Sequence, residues 1–188
     1  MHNLALIGKA RSGKDTAAAH LVRTRSYTRL AFADPLKEMV IDINPFVPAS
    51  FGVTVRLRAL IADVGWEYAK DHYPEVRRIL QSVGQSVRER DEDYWTSIVR
   101  RKISAAEEWN MPVVVSDVRY PSEAFMLKAR GFRLVRIVRP NPITGKVHPP
   151  ASEAARHSSE TALDGFAADE TIYNAGTIAD LEARVSLL

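Results

Sequence analysis

The sequence predicts an α/β fold in which a parallel sheet of about five strands is flanked by helices. A short apolar run at residues 4–7 is followed by a glycine-framed loop and then by a helical segment. Apolar runs of strand length alternate with helical patterns along the rest of the chain, as in a doubly wound sheet. The run at residues 111–117 (MPVVVSD) holds three consecutive valines. Such fully apolar strands are typical of parallel sheets that helices cover on both faces.

Length and composition indicate one globular domain. The chain has 188 residues, of which 46% are hydrophobic and 26% are charged, and it contains no cysteine. It can therefore bury a core without disulfides, and it has no thiolate nucleophile or thiolate metal ligand. The net charge is +3 and acidic residues are spread throughout, which argues against a stable nucleic-acid partner. With neither a basic leader nor an apolar run of membrane-spanning length, we expect a cytoplasmic protein without a membrane partner.

The first loop has the spacing of a phosphate-binding loop, or P-loop. Residues 8–16 read GKARSGKDT, so Gly8 and Gly13 frame the loop and Lys14 follows the second glycine. Glycines at this spacing let the backbone N–H groups converge on a polyphosphate, and the lysine and the next helix face the same anion. The motif therefore predicts a bound nucleoside triphosphate. Asp15 is unusual because Ser or Thr normally occupies this position.

The elements up to residue 54 follow from turn and cap residues. A second strand is predicted over residues 27–33. Asp34 before Pro35 predicts a helix that begins at an aspartate cap and ends at residues 44–45. Residues 46–54 contain proline and glycine and predict a loop.

The remaining elements follow from hydrophobic periodicity. Apolar stripes that begin at Leu57, Val76 and Trp95 predict three successive helices. Gly84, inside the second of them, would allow a ligand to approach closely. After the strand at 111–117, we expect a helix at 121–130 that Gly131 ends, a strand at 132–139, a polar segment at 140–165, a strand at 171–173 and a helix capped by Thr177 and Asp180.

Several motifs, spread over nearly the whole chain, resemble those of the bacteriophage deoxynucleoside monophosphate kinases, within the nucleoside-monophosphate-kinase-like group of P-loop proteins. These motifs are residues 8–16, 32–37 (FADPLK), 80–88 (LQSVGQSVR), 116–123 (SDVRYPSE), 157–160 (HSSE) and 173–177 (YNAGT). The resemblance implies transfer of the ATP γ-phosphoryl group to a deoxynucleoside 5′-monophosphate, with Mg²⁺ as the metal. It also implies a single kinase domain over residues 1–188. Its core would be residues 1–33, 111–139 and 170–188, with a helical acceptor-binding region at about 34–110 and a lid at about 140–165.

The resemblance implies one set of residues that hold ATP and a second set that serves Mg²⁺. The residues expected to hold ATP are Gly8, Arg11, Ser12, Gly13, Lys14, Asp15, Thr16, Arg136 and Asn174. Asp15 is expected to serve Mg²⁺ directly or through water, because a carboxylate beside a triphosphate needs a cation. Asp117 would order Mg²⁺ through water or, alternatively, orient Arg119 or the loop. Turn and cap chemistry would explain Asn174 equally well.

The resemblance also implies an acceptor site and catalytic arginines. The expected acceptor residues are Lys9, Asp34, Lys37, Trp66, Gln85, Arg88, Asp117, Arg119, Glu123, Arg156, His157 and Glu160. Lys14, Arg119 and Arg139 are the expected catalytic residues, since phosphoryl transfer needs positioning and charge neutralisation.

Structural interpretations stay open for several of these residues. Asp34 is explained about as well by a helix cap, and Trp66 by packing in the core. Arg119 could pair with Glu123 on the surface, and His157 could be an ordinary surface histidine.

Two other functional interpretations stay open. Another small-molecule kinase, such as a dephospho-coenzyme A or phosphomevalonate kinase, would share the loop, and the second shares its Gly-Lys-Asp run. A nucleotide-binding switch or DNA-handling ATPase is a further alternative. Against it, no Asn-Lys-x-Asp run for guanine occurs, and Val118 rather than glutamate follows Asp117. The accepted bases and the formation of a homodimer are left open.

Overall fold

The computed structural model describes residues 2–140 and 161–188. The described strands are β1 (Leu4–Ile7), β2 (Thr28–Leu30), β3 (Phe46–Pro48), β4 (Thr54–Arg56), β5 (Val113–Val115), β6 (Arg133–Val138) and β7 (Glu170–Tyr173). The described helices are α1 (Lys14–Arg25), α2 (Ala33–Ile43), α3 (Leu57–His72), α4 (Pro74–Arg90), α5 (Tyr94–Glu108), α6 (Pro121–Ala129) and α7 (Ile178–Val185), with a 3-10 turn at Ser50–Gly52. Among these helices, none has the length and apolar character needed to cross a membrane.

The chain forms two compact units. The sheet unit comprises Met1–Phe32 and Thr96–Leu188, and the helical unit comprises Ala33–Trp95. Most of α5 therefore groups with the sheet, although the sequence assigns residues up to about 110 to the helical acceptor-binding region. The assignment of acceptor and lid functions to regions of the chain stays a prediction.

The sheet unit is built on one five-stranded parallel sheet in the order β2–β5–β1–β6–β7. This confirms the predicted fold class. The strand β1 lies at the centre, with Ala5 opposite Val115 of β5 and Ile7 opposite Arg136 of β6. The loop that leaves β1 therefore emerges at the middle of the carboxyl edge, which is where ligands bind in open α/β sheets.

Helices cover both faces of this sheet, as the apolar strands predict. Leu4 and Leu6 of β1 share one face with Val114 of β5, and they pack in one cluster with buried residues of α1 and α7. On the opposite face Ala5 and Val115 are also fully buried, and α6 contacts β6. Successive side chains in a strand point to opposite faces, so this pattern fixes the face of each residue at the strand ends.

The helix boundaries in the sheet unit follow the expected cap chemistry. Gly131, at φ +77°, ends α6, because glycine adopts this left-handed conformation with little strain. Thr177 Oγ1 accepts a hydrogen bond from Asp180 N at 3.2 Å, and Asp180 Oδ2 accepts one from Thr177 N at 2.8 Å. The hydrogen bond from Thr177 N lowers the pKa of Asp180 below its usual value. The predicted capping box is thus confirmed.

The helical unit packs α2, α3 and α4 around its own apolar cluster. The buried members are Val40, Val47, Leu57, Leu60, Ala69, Val76 and Ile79. The helix α3 is kinked at Gly65, which has φ 74° and ψ 166°. The predicted helices of residues 55–95 therefore form, and their apolar stripes are a core.

Residues 46–54 do not form the predicted loop. They belong to an antiparallel hairpin in which Val47 of β3 pairs with Val55 of β4. Pro48 pairs with Thr54 at the hairpin end, and Phe51 and Gly52 take positive φ in the connecting turn. The proline and glycine that predict a loop thus sit where a short hairpin tolerates them.

The structure also shows the local surroundings of Asp34 and Gly84. The helix α2 begins at Ala33, one residue before the predicted aspartate cap, so Asp34 lies in its first turn. A Cβ on Gly84 would lie 3.1 Å from Leu36 Cδ2, and the Gly84 carbonyl accepts a hydrogen bond from Trp95 Nε1 at 3.2 Å. The glycine therefore provides room for a side chain of α2, which accounts for its place in the helix without a ligand.

Candidate phosphate-binding site

The loop between β1 and α1 packs so closely on its neighbours that its two glycines have no room for a side chain. Gly8 has φ +146°, and a Cβ there would lie 2.3 Å from the backbone oxygen of Ile137. Gly13 has φ +107°, and its Cβ would lie 2.6 Å from Asn174 Nδ2. Positive φ and contact with neighbouring atoms both require glycine at these positions. The glycine spacing of the sequence is therefore a packing requirement of the fold.

Asn174 fixes the loop through a hydrogen bond to its backbone. It directly follows β7, is buried, and donates from Nδ2 to the Ser12 carbonyl at 2.9 Å. Its own backbone N–H donates to Val138 O at 2.7 Å. The side-chain amide that was expected at the nucleotide is thus directed at the loop backbone, where it fixes the Ser12 peptide.

The ammonium group of Lys14 binds two carbonyl oxygens of the loop. Lys14 is the first residue of α1 and is buried. Its Nζ donates to the carbonyl oxygens of Gly8 and Lys9, each at 2.8 Å. An ammonium group beside converging backbone N–H groups is the arrangement that binds phosphate oxygens. An anion entering the loop would compete with these two carbonyls for the ammonium.

The other loop residues differ in exposure. Arg11, at φ 60°, and Asp15 are exposed, whereas Thr16 is partly buried. The Ser12 hydroxyl is buried and has no hydrogen-bond partner in the part of the chain that the structure describes. A buried hydroxyl of this kind is usually satisfied by an ordered water or a ligand. No group of three or more His, Cys, Asp or Glu side chains that could by itself hold a metal occurs within residues 2–140 and 161–188.

Two carboxylates after β5 accept hydrogen bonds from backbone N–H groups. Asp117 Oδ1 accepts a hydrogen bond from Phe32 N at 2.8 Å, which ties the end of β5 to the residues after β2. Glu123 is 2% exposed, and its Oε2 accepts hydrogen bonds from the backbone N–H groups of Arg119 at 2.8 Å and Tyr120 at 3.2 Å. A carboxylate in the first turn of a helix satisfies donors that the helix leaves open. The structure therefore gives Glu123, expected at the substrate, a role in fixing the start of α6 and the backbone of Arg119.

Two other predicted ligands bind the segment that precedes β7. Arg136 donates from one guanidinium nitrogen to the carbonyls of Leu163 at 2.9 Å and Phe166 at 2.6 Å. Lys9 Nζ forms an ion pair with Asp164. Arg136 thus braces this segment, and its expected contact with ATP stays a prediction. Arg139 is exposed just beyond β6.

The predicted acceptor residues of the helical unit fall into two groups. Lys37 Nζ lies 5.7 Å from the centre of the Trp66 ring and 4.0 Å from Asp34 Oδ1, so these three side chains are neighbours. Trp66 is partly buried against the apolar cluster of the unit, as its structural interpretation requires. On α4, Gln85 donates to Glu89 at 3.1 Å, and Arg88 is partly buried. Arg156, His157 and Glu160 lie outside the described residues.

The sequence did not predict two contacts that shape the site. Asn174 contacts a residue 162 positions away, and Lys9 contacts a residue 155 positions away. A single sequence carries no signal for such pairs, since each residue is an ordinary polar residue near a strand end. The only sequence signal for Asn174 is its place after the last strand.

The sheet order and the loop define the class of protein. A central parallel strand, a glycine loop packed at its carboxyl end and a lysine at the start of the next helix form a P-loop nucleotide-binding site. Two solved structures share the fold, each with a TM-score of 0.51. One is a sugar kinase from Janibacter sp. HTCC2649, 12% identical, with 100% of this chain and 93% of that chain covered. The other is a dephospho-CoA kinase from Campylobacter jejuni, 11% identical, with 99% and 94% covered.

The chain belongs to the deoxynucleotide monophosphate kinase family, whose model matches residues 50–185. The name of that family describes kinases that act on deoxynucleotide monophosphates. Protein ORF77 of Ictalurid herpesvirus 1 (strain Auburn) is 38% identical over 115 residues, which are 60% of this chain and 47% of that protein. A protein of Acanthamoeba polyphaga mimivirus, named as a deoxynucleotide monophosphate kinase, is 27% identical over 161 residues, 78% of each chain. The chain thus spans about half the length of the first relative and most of the second.

Replacing Gly8 should destabilise the protein far more than replacing Gly131, another glycine at positive φ. Gly8→Ala places a Cβ against the Ile137 backbone carbonyl, whereas a Cβ on Gly131, also at positive φ, would have no neighbouring atom within 4 Å. We expect Gly131→Ala to cost about 1 kcal/mol of unfolding free energy from backbone strain. Gly8→Ala should cost at least about 2 kcal/mol more. Urea unfolding of both variants measures the difference, and equal losses would contradict the packing described here.

Removing the carboxylate of Asp164 should strengthen phosphate binding at the loop. Asp164→Asn breaks the ion pair with Lys9 and removes a negative charge from beside that ammonium group. Exposed ion pairs are worth about 0.2–1 kcal/mol, so the affinity for tripolyphosphate should rise by about two- to fivefold at low salt. The gain should shrink at about 0.3 M salt because the charges are screened.

Isothermal titration of tripolyphosphate into wild type, Asp164→Asn and Asp63→Asn measures this effect. The exposed Asp63 lies on α3, so its variant makes the same change in net charge without touching Lys9. A gain of the same size in both variants, or no gain in Asp164→Asn, would refute the competition between Asp164 and phosphate for Lys9.

Proposed function

We propose that this protein transfers the γ-phosphoryl group of ATP to the 5′-phosphate of a deoxynucleoside monophosphate and so forms ADP and a deoxynucleoside diphosphate. The observation that carries the proposal is the family match over residues 50–185. It begins after the P-loop, so the loop supports ATP binding independently. The acceptor class and the bacteriophage branch of the family rest on the motifs of the sequence and on the family name.

The P-loop would bind the donor nucleotide. Lys14 would leave the Gly8 and Lys9 carbonyls and bind the phosphates, together with the backbone N–H groups of the loop. Ser12 has a buried hydroxyl without a partner, which suits a phosphate oxygen. Arg11, exposed at the loop tip, would contact the nucleotide.

Mg²⁺ fits the donor set at the start of α1. Asp15 is an exposed carboxylate one residue after Lys14, and Thr16 adds a hydroxyl; both are oxygen donors of the kind that Mg²⁺ prefers. Asp117 would act through water, in addition to its hydrogen bond with Phe32. When bound, Mg²⁺ neutralises charge on the phosphates.

The acceptor phosphate would be held by cations at the carboxyl edge of the sheet. Arg119 lies two residues after Asp117, and its backbone is fixed by Glu123. Lys9 and Arg139 would supply further positive charge. In the transfer, an oxygen of the acceptor phosphate bonds to the γ-phosphorus as the bond to the bridging oxygen of ADP breaks, and ADP leaves with that electron pair. The protein contributes position and charge, since this chemistry needs no covalent enzyme intermediate.

The helical unit would read the acceptor base. Lys37 and Trp66 form a cation–π pair beside Asp34, which combines an aromatic face with charged hydrogen-bonding groups. Gln85 and Arg88 of α4 are the further candidates. Arg156, His157 and Glu160 are proposed to act from the lid.

Product analysis tests this proposal most directly. ATP is incubated with each of the four deoxynucleoside monophosphates, dephospho-coenzyme A or phosphomevalonate, and the products are separated by anion-exchange chromatography. We expect ADP and a deoxynucleoside diphosphate in equal amounts with at least one deoxynucleotide. Lys14→Met should lower kcat by about 100-fold or more, because it removes a charge that stabilises the transferring group. Lys102→Met, an exposed change on α5, is the matched control and should retain activity.

ATP hydrolysis without a phosphorylated acceptor would contradict the proposal and favour a nucleotide-binding switch or ATPase. Transfer only to dephospho-coenzyme A or phosphomevalonate would show that the acceptor is that compound and not a deoxynucleoside monophosphate.

A further inference from the structure

The hydroxyl of Ser116 is buried at the carboxyl end of β5 without a hydrogen-bond partner. The residue is 0% exposed, and no group within residues 2–140 and 161–188 forms a hydrogen bond with its Oγ. Its backbone is well held, since Ser116 N donates to Leu30 O at 3.1 Å. Burying an unpaired hydroxyl costs free energy that alanine would not cost. A partner that arrives with the ligands would explain the presence of serine here.

The alternation of β5 determines the face on which Ser116 lies. Val114 packs in the cluster formed with α1 and α7, so Ser116, two residues further, lies on the same face of the sheet. The helix α1 contacts β5 and begins at Lys14, at the carboxyl edge. Ser116 is one residue beyond β5 at that same edge. The unpaired hydroxyl therefore lies on the side of the sheet that carries the P-loop helix.

Asp117, the residue after Ser116, follows the end of β5. Its Oδ1 accepts the Phe32 N–H at 2.8 Å, so this carboxylate joins the ends of two strands. The acid that sequence spacing assigns to the metal thus has a structural contact with the residues after β2, and its neutral neighbour lies on the face of the sheet that packs against α1.

We propose that Ser116 is a positioning residue for the hydrated Mg²⁺ of bound MgATP, with its Oγ accepting a hydrogen bond from a water molecule of the metal. This inference rests on the proposed function, because it requires MgATP in the P-loop. Metal-bound water is a strong donor, and a buried serine oxygen with no other partner is a fitting acceptor. Ser116 thereby couples metal binding to nucleotide binding and makes no contact with the metal itself.

Thr28 provides a matched control within the same sheet. Its Oγ1 is also buried and unpartnered, but it lies at the first residue of β2, on the opposite edge. Thr28→Val replaces the hydroxyl by a methyl group at nearly constant volume. Ser116→Ala also removes a hydroxyl, but leaves the side chain one heavy atom smaller. Both variants should keep or slightly raise the melting temperature, since each removes an unpaired buried polar atom.

Titration of ATP by calorimetry, with excess Mg²⁺ and with EDTA, gives the factor by which Mg²⁺ strengthens ATP binding. We expect Ser116→Ala to lower this factor by about three- to tenfold, the range of one hydrogen bond, with ATP affinity in EDTA unchanged. Thr28→Val should leave the factor as in wild type. If Ser116→Ala does not fold, Ser116→Cys, which keeps the size and loses the strong acceptor, is measured in its place.

The outcomes separate this inference from the proposed function. Wild-type protein that binds no MgATP would overturn the proposed function itself. If the Ser116 variant keeps the wild-type factor by which Mg²⁺ strengthens ATP binding, the inference is overturned and the proposed function is not. An equal loss of affinity with Mg²⁺ and with EDTA would also overturn it, because Ser116 would then serve the phosphates or the fold.

Discussion

The site depends on the close packing of the P-loop backbone against the strand ends beneath it. At Gly8 the chain passes so near the Ile137 carbonyl that no side chain fits, and at Gly13 it lies against Asn174. Asn174 in turn binds the Ser12 carbonyl and the end of β6. These contacts fix the loop before any ligand is present, so its N–H groups need little reorganisation to bind an anion.

The parallel sheet was predictable because its signal is local and strong. The run 113–115 is apolar on both faces, and the glycine spacing of the loop has few alternative explanations. The hairpin at residues 46–56 was not predictable in this way. Each of its strands has three residues, and Pro48 and Gly52 lie within or beside them. Breakers in so short a segment predict a loop unless the pairing partner is known.

The residues of the site also differ in how far the sequence predicts them. Lys14 and the glycines follow from spacing, because phosphate binding dictates both residue type and interval. The roles of Glu123 and Arg136 do not, because a carboxylate or guanidinium has the same appearance in a sequence whether it binds a ligand or backbone groups. Their hydrogen bonds to the start of α6 and to the segment before β7 depend on the folded chain. Charged residues near a predicted site are thus the weakest predictions.

The most direct measurement is a crystal structure with a non-hydrolysable ATP analogue and Mg²⁺. The central claim is a preformed donor-phosphate loop in which one side chain moves. We predict that Lys14 Nζ leaves the Gly8 and Lys9 carbonyls for the phosphates while the Asn174–Ser12 hydrogen bond is kept. A nucleotide bound elsewhere, or a loop whose Asn174 contact breaks as the backbone rearranges, would contradict this claim.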